Sequence, residues 1–229
     1  MEQRTNEWYR ARLGKFNASE VGQLMVAGRG KGAMFGKGAI TYMERVAQGR
    51  DLWRKLQDDE VMDDYLYLTQ ITTPAMRRGI EAEPKHRLGY SIATGHEVTE
   101  AGSIQHPYFA TLAASPDGLV GEDGMIEIKD MGVDNYYHYR FSVNDAATLK
   151  DTEPRYYWQV MANLACNGRA WCDFIVGCSI LDDIGVDAPL HIFRIERDED
   201  AIAQLMERVA AAEKEVGELC GQLAITTTN

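Results

Sequence analysis

The run Ser115-Pro116-Asp117-Gly118-Leu119-Val120-Gly121-Glu122-Asp123-Gly124-Met125-Ile126-Glu127-Ile128-Lys129 decides how this chain is read. Side chains alternate faces along a strand. Glu127 and Lys129 therefore point one way, and Ile126 and Ile128 point the other way, into a core. Gly118, Gly121 and Gly124 permit a tight return, which brings Asp117 back beside Glu127. Two carboxylates and an ammonium on one small patch suit metal-dependent cleavage of a phosphodiester. Carboxylate oxygens hold hard divalent ions. Such ions stabilise the attacking and leaving oxygens, and the lysine can orient or deprotonate water. The same residue types also occur on solvated strand faces, where their ion pairs are weak, and Asp…(Asp/Glu)-x-Lys is short enough to arise by chance. Pro-Asp-Gly at a turn, then a strand, then a long helical region favours the chemical reading.

The hairpin sits in a chain of 229 residues, enough for one large domain or two small ones. The 45% apolar share is that of an ordinary globular protein. No run of about 18 apolar residues is present, which implies no membrane span. Met1-Glu2-Gln3-Arg4-Thr5-Asn6-Glu7 has no apolar signal-peptide core, which implies a cytoplasmic protein. Cys166, Cys172, Cys178 and Cys220 lack the C-x-x-C spacing of a zinc ribbon and read as free thiols in a reducing compartment. A net charge of −11 counts against a general polyanion-binding surface, so any DNA contact must come from a local basic patch or through metal ions. Asp58-Asp59-Glu60 and Asp63-Asp64 concentrate the acid and read as a solvated face or loop.

Residues 5–14 read as a short helix, and Asn17-Ala18-Ser19-Glu20 as a cap opening a second helix through about Met25. Gly28-Arg29-Gly30-Lys31-Gly32 and Gly36-Lys37-Gly38 form a flexible basic loop. It lacks the preceding strand and the G-x-x-x-x-G-K-[ST] spacing of a P-loop, and a solvated linker competes with a DNA contact there. Residues 39–50 read as helix, 51–70 have no clear assignment, and Pro74 to about Gly89 reads as helix. On periodicity alone, Glu83 is a surface residue of that helix. Residues 97–113 read as strands with a turn at His106-Pro107. Asn135 through Lys150 reads as one helix, and Pro154 opens another that stops at Asn167-Gly168. Residues 170–180 and 189–196 are β-like, and residues 198–220 form an amphipathic helix. Together these predict an α/β fold, a central mixed β-sheet flanked by helices.

Five short motifs in order along the chain resemble the phage lambda-type (alkaline) exonucleases, of the restriction-endonuclease-like PD-(D/E)xK nuclease superfamily. Trp8 to Glu20, W-Y-R-A-R-L-G-K-F-N-A-S-E, is similar to that family's N-terminal motif. Gly79 to Glu83 resembles its G-x-x-x-E helix, Ser115 to Leu119 its S-P-D-G-L segment, Glu127-Ile128-Lys129 its E-x-K, and Tyr156 to Val160 its Y-x-x-Q-V helix. The likeness covers roughly residues 7 to 199. It implies a restriction-endonuclease-like core and one nuclease domain over residues 1–229. That domain would have a helical part over about 1–95, a sheet core over about 96–196 and a C-terminal helix over about 198–220.

For the site, the resemblance implies that Asp117, Glu127 and the Ile128 backbone carbonyl hold Mg²⁺ (two ions, with Mn²⁺ able to substitute), with Glu83 at the same site directly or through water. Lys129 would position and activate the attacking water, and Gln159 and Tyr156 would frame the nucleophile and the scissile phosphate. Arg12, Ser19 and Ser115 would bind a 5′-terminal phosphate; without the resemblance, Arg12 and Ser19 read as a helix-surface arginine and an ordinary cap. Arg29 would enter the DNA minor groove. Met76 would wedge between bases where the strands separate, and it reads equally as a core methionine. At a position where the family carries a further aspartate, this chain has Pro107, so His106 is the neighbouring candidate, and it reads equally as a turn histidine. The implied activity is a 5′-to-3′ exonuclease that degrades one strand of double-stranded DNA to mononucleotides and leaves a 3′ single-stranded tail. The implied setting is a ring-shaped homotrimer, a single-strand annealing recombination protein as partner, and a phage or prophage origin. An endonuclease or repair nuclease of the same superfamily and a catalytically silent DNA-end clamp are the alternatives.

Overall fold

The computed structural model describes residues 2–30 and 32–226; Met1, Lys31 of the basic loop and the tail Thr227-Thr228-Asn229 lie outside the described residues. Helix α1 (Asn6–Arg12), strand β1 (Phe16–Asn17), a 3-10 turn (Val21–Met25) and helices α2 (Lys37–Leu52), α3 (Asp59–Thr69) and α4 (Pro74–Thr94) come first. Strands β2 (Val98–Thr99), β3 (Ile104–Gln105), β4 (Leu112–Ala114), β5 (Gly118–Val120) and β6 (Gly124–Asp130) follow. Helices α5 (Val133–Ser142), α6 (Ala146–Thr152) and α7 (Pro154–Asn167) lead to β7 (Trp171–Gly177), then α8 (Ser179–Asp183), β8 (His191–Glu196) and α9 (Glu199–Thr226).

The main sheet has the order β2-β5-β6-β7-β8, with β6 and β7 parallel and the other pairs antiparallel. A small second sheet, β1-β4-β3, joins the N-terminal segment to the core through the parallel pair β1–β4. Parallel neighbours need a long crossover, and α5 to α7 supply it. Strand β6 is covered on both faces, as a central strand of this kind usually is. Ile126 and Ile128 pack with Tyr90, Val120 and Ile175 on the α4 side, whereas Met125 packs with Val160, Leu164, Phe174 and the rest of the large core on the α7 side. Glu127 shares the α7 side and is 1% exposed, so it lies beneath a helix and not on a solvated face.

Several local expectations change. The segment after Asn17 is a 3-10 turn, because the Asn17 side chain is spent on the Arg12 and Lys15 carbonyls at 3.2 and 3.0 Å and caps nothing. The expected helical N-terminal part thus also contains a strand, β1. The span 135–150 is two helices broken at Val143–Asp145, where Asp145 and Thr148 form a reciprocal cap that starts α6. Helix α4 runs past Gly89 to Thr94, since Gly89 serves close packing: a Cβ there would lie 3.1 Å from Leu190 Cδ1. Within residues 51–70, unassigned from sequence, α3 is a helix that Asp58 caps through the Glu60 and Val61 amides. Strand β7 ends at Gly177 and α8 takes residues 179–183, while α9 continues to Thr226.

The α4 face of the sheet depends on one close approach. His86 packs on Gly177 of β7, where a Cβ would fall 2.3 Å from the ring Cε1. The ring is 3% exposed and has no room to swing away. Gly177→Ala is expected to cost about 1–3 kcal/mol through overpacking, read as a lowered urea midpoint; an unchanged midpoint would refute this account of α4 docking.

Candidate active site

The β5–β6 return aligns Gly118 with Ile126, which sets Asp117 opposite Glu127 at the open end of the hairpin. The Asp117 amide donates to the Ile126 carbonyl at 3.2 Å, and Asp117 Oδ2 accepts from the Ile128 amide at 2.7 Å. Glu127 accepts from Lys129 Nζ at 2.5 Å, from Gln159 Nε2 at 2.6 Å and from Asn163 Nδ2 at 2.9 Å. Lys129 Nζ also reaches Gln159 Oε1 at 3.3 Å and lies 4.8 Å from the centre of the Tyr156 ring. Gln159 and Asn163 stand one turn apart on α7, so both face β6. Their amide donors satisfy a carboxylate whose unpaired burial would be costly.

These groups open into a cleft of about 500 Å³. Helix α4 supplies another wall, with Glu83 8% exposed and both its oxygens engaged. Arg87 Nη2 donates to Oε1 at 2.6 Å, and Arg4 Nη2 donates to Oε2. Arg87 Nε also donates to the Asp117 carbonyl at 3.1 Å, which braces α4 against the hairpin. Beyond Asp117, Arg12 donates from Nη1 to Ser115 Oγ at 3.1 Å and from Nη2 to Ser19 Oγ at 3.3 Å. The Trp8 indole N–H donates to the same Ser115 oxygen at 3.1 Å, and the Arg12 guanidinium lies 4.3 Å over the Trp8 ring. Among the described residues, no carboxylate forms an ion pair with Arg12, so this end of the cleft is rich in donors.

Burial, then the neighbouring Glu127 carboxylate, push Asp117 well above the ordinary carboxylate range against the pull of Lys129. Burial alone would lower the Lys129 ammonium, but Glu127 and Asp117 outweigh it and hold the group above the ordinary lysine value. The cleft thus gathers carboxylate oxygens whose mutual repulsion a divalent cation would relieve, and hard oxygen donors are what Mg²⁺ takes. Among the described residues no group of three or more His, Cys, Asp and Glu forms a ready cage; Glu83 stands in the same cleft with arginines on both oxygens. The donor set fits a hard divalent ion.

The sequence matches the YqaJ-like viral recombinase domain over residues 7–170. The chain belongs to that family. A crystal structure of an alkaline exonuclease (LHK-Exo) from Laribacter hongkongensis is 34% identical, covers 98% of each chain and superposes with a TM-score of 0.77. The same enzyme in complex with dAMP aligns at 33% identity over 98% of each chain, with the same TM-score. A phage-related exonuclease from Haemophilus somnus 129PT shares the fold, with a TM-score of 0.67 at 14% identity over 91% of this chain and 96% of that one. No curated protein gives a significant match. The mixed α/β architecture is that of the alkaline exonuclease structures.

Of the residues singled out from sequence, Asp117, Glu127, Ile128, Lys129, Glu83, Gln159, Tyr156, Arg12, Ser19 and Ser115 all line this one cleft. Met76 also lines it, in the first turn of α4, and is 52% exposed, so it is not a core methionine. Arg29 is exposed in the 26–36 loop and is not among the cleft residues. His106 serves its turn: Nδ1 accepts from the Tyr108 and Phe109 amides at 3.2 and 3.1 Å.

Sequence reasoning missed Trp8, Arg87 and Asn163, each one helical turn from a residue that it had named (Arg12, Glu83 and Gln159). It also missed Asp130. That side chain is fully buried and accepts from Arg78 Nε at 2.9 Å and from the Ser179 amide and hydroxyl at 2.7 and 2.9 Å, while His86 Nε2 lies 3.0 Å away. Burial alone would raise the Asp130 carboxyl, yet the bonds from His86, Ser179 and Arg78 bring it down to about 2. A depressed folded-state value stabilises the protein above the unfolded carboxylate value near 4 and is lost as pH falls through about 2. Asp130→Asn is expected to cost on the order of 2 kcal/mol at pH 7 and roughly half that at pH 3. Urea unfolding at both pH values checks this, and an equal loss at the two would contradict the assignment.

Proposed function

We propose that this chain is a metal-dependent 5′-to-3′ exonuclease that works as one nuclease domain on double-stranded DNA. The observation that carries the reading is the placement of two chemistries in one cleft. Asp117, Glu127 and Lys129 form a cleavage centre, and Arg12, Ser19, Ser115 and Trp8 form a donor cluster joined to it through Ser115, two residues from Asp117. Asp117, Glu127, the Ile128 carbonyl and Glu83 are the oxygens that would hold two Mg²⁺ ions, with Mn²⁺ as a substitute. Bound there, the ions supply charge stabilisation to the attacking and leaving oxygens of the phosphodiester.

The chain's own groups do the rest. Lys129, which Glu127 and Asp117 hold above the ordinary lysine value, orients a water by donating hydrogen bonds. Gln159 fixes the Lys129 and Glu127 side chains relative to each other, and the Tyr156 ring walls the ammonium in. The Arg12 fork and the two hydroxyls accept a terminal phosphate, which suits a planar guanidinium. A 5′-phosphorylated duplex end is therefore the substrate. The released unit is a mononucleotide, and a 3′ single-stranded tail is left for recombination; a relative crystallised with dAMP, a nucleoside monophosphate, supports that product class. Met76 at the mouth of the cleft parts the strands, and Arg29 meets the duplex outside it.

The family resemblance further supports a ring-shaped homotrimer around DNA. It also supports a single-strand annealing protein as partner and a phage or prophage origin with a cytoplasmic site of action. No helix among the described residues is long and apolar enough to cross a membrane.

Lys129→Ala and Glu127→Ala are each expected to slow digestion of linear duplex in Mg²⁺ by roughly 10³-fold while the fold remains intact by circular dichroism. Near-normal rates in either would sink the site assignment. Closed circular duplex should stay intact, whereas nicking or linearisation would favour the endonuclease alternative. Arg12→Ala is expected to slow 5′-phosphorylated ends by roughly 10–100-fold and 5′-hydroxyl ends far less. Equal slowing of both would remove the phosphate pocket. Sedimentation equilibrium is expected to give three times the 25.7 kDa chain mass, and a monomer at micromolar concentration would refute the ring.

A further inference from the structure

Glu83 has two guanidinium partners, and they are not equivalent. Arg87 is 15% exposed and donates to Glu83, to the Asp117 carbonyl and to Glu100, so it is a fixed brace. Arg4 is 39% exposed and, among the described residues, bonds to Glu83 alone. The segment that carries Arg4 is laid deliberately over the hairpin. Gln3 Nε2 donates to the Ala101 carbonyl at 2.8 Å and to the Pro116 carbonyl at 3.0 Å, and Thr5 Oγ1 accepts from the Trp8 amide at 3.3 Å to cap α1. Between these anchors Arg4 has φ of 66°, the left-handed region, which no other non-glycine residue enters among the described residues. Side chains other than glycine, asparagine and aspartate seldom take that conformation. Where one does, the surroundings impose it, often at functional sites. Here the result is a guanidinium that lines the cleft and meets Glu83 there.

We propose that Arg4 is a displaceable counter-ion that competes with a divalent cation for Glu83 and, once released, binds the phosphodiester of the DNA strand. The inference rests on the reading of the cleft as a metal-dependent nuclease centre. A carboxylate with a guanidinium on each oxygen has its charge already compensated. An ion that draws on Glu83 weakens its pairing with both, and Arg4, with a single partner and more solvent contact, leaves at lower cost than the triply anchored Arg87. Its guanidinium then stays at the mouth of the cleft, where a phosphate oxygen pair accepts its planar fork. Ion loading and DNA loading become coupled through one side chain: the ion frees Arg4, and the phosphate keeps it free.

The test compares wild type, Arg4→Ala and Arg4→Lys, with any affinity tag at the far end of the chain. Titration calorimetry with Mn²⁺ in the absence of DNA reads the competition. Arg4→Ala is expected to bind Mn²⁺ about five-fold more tightly than wild type, the size of one partly exposed ion pair, with Arg4→Lys between them. Kinetics on a 5′-phosphorylated duplex read the second role, with KM raised roughly ten-fold in Arg4→Ala and kcat within about two-fold. A purely structural role for Arg4 would weaken or leave unchanged the Mn²⁺ affinity, and either result overturns the proposal, as does a failure of all three proteins to bind Mn²⁺. Tighter Mn²⁺ binding with an unchanged KM overturns the phosphate contact and keeps the competition. A wild-type protein that binds Mn²⁺ yet leaves duplex ends intact overturns the nuclease reading instead, and the ion comparison still decides the exchange at Glu83.

Discussion

The cost of placing the Glu127 carboxylate under a helix governs this structure. An ionised group taken out of water must be hydrogen-bonded and paired, or it shifts to its neutral form. Gln159 and Asn163 reach down from α7, and Lys129 reaches along the same strand, so that two amides and an ammonium meet one carboxylate. Helix α7 packs over β6 in the register that delivers these donors. The packing of the large core and the aim of the cleft's side chains therefore meet in the same contact.

Strand β6 makes a second and opposite commitment. On its other face, Ile126 and Ile128 are closed over by Tyr90 of α4, and Asp130 gathers Arg78, His86 and Ser179. Glu83 lies on the same helix, one turn before Arg87, which ties it to the Asp117 carbonyl. Asp117, Glu127 and Glu83 thus come from a loop, a strand and a helix that hydrogen bonds from Arg87 and α7 hold in place. Asp117 is raised in pKa first by burial and then by Glu127, which that frame keeps near it.

Much of this was legible in the residues. Strand alternation placed Glu127 with Lys129, and the glycine-rich return placed Asp117 opposite, because both follow from short-range geometry. The family likeness brought Arg12, Ser19 and Ser115 together, and the fold puts all three on one set of hydrogen bonds. What could not be read was set by distant contacts. Glu127 is buried because α7, thirty residues on, covers it. Asn163 and Trp8 had the right helical spacing from named residues, yet spacing does not say which face a helix turns inward. Residues 58–69 looked merely acidic, although the cap at Asp58 was there to be seen. The break at Val143–Asp145 hides in a helix-like composition, and only the Asp145–Thr148 cap reveals it. Nothing in the sequence announces a left-handed Arg4, since that conformation is imposed from both sides by Gln3 and Thr5.

The span of chain that the cleft draws on has a consequence for how the protein comes into being. Gln3 and Arg4 stand at one end of it and Asn163 at the other, and β6 finds its parallel neighbour β7 only after three intervening helices. Contacts so far apart in sequence form late and together, because loop closure must precede their reward. A growing chain that has emerged only as far as the hairpin already carries Asp117, Glu127 and Lys129, but with no α7 above Glu127 it holds them as separate solvated charges. The arrangement of these charges thus belongs to the folded chain, in which α7 covers Glu127.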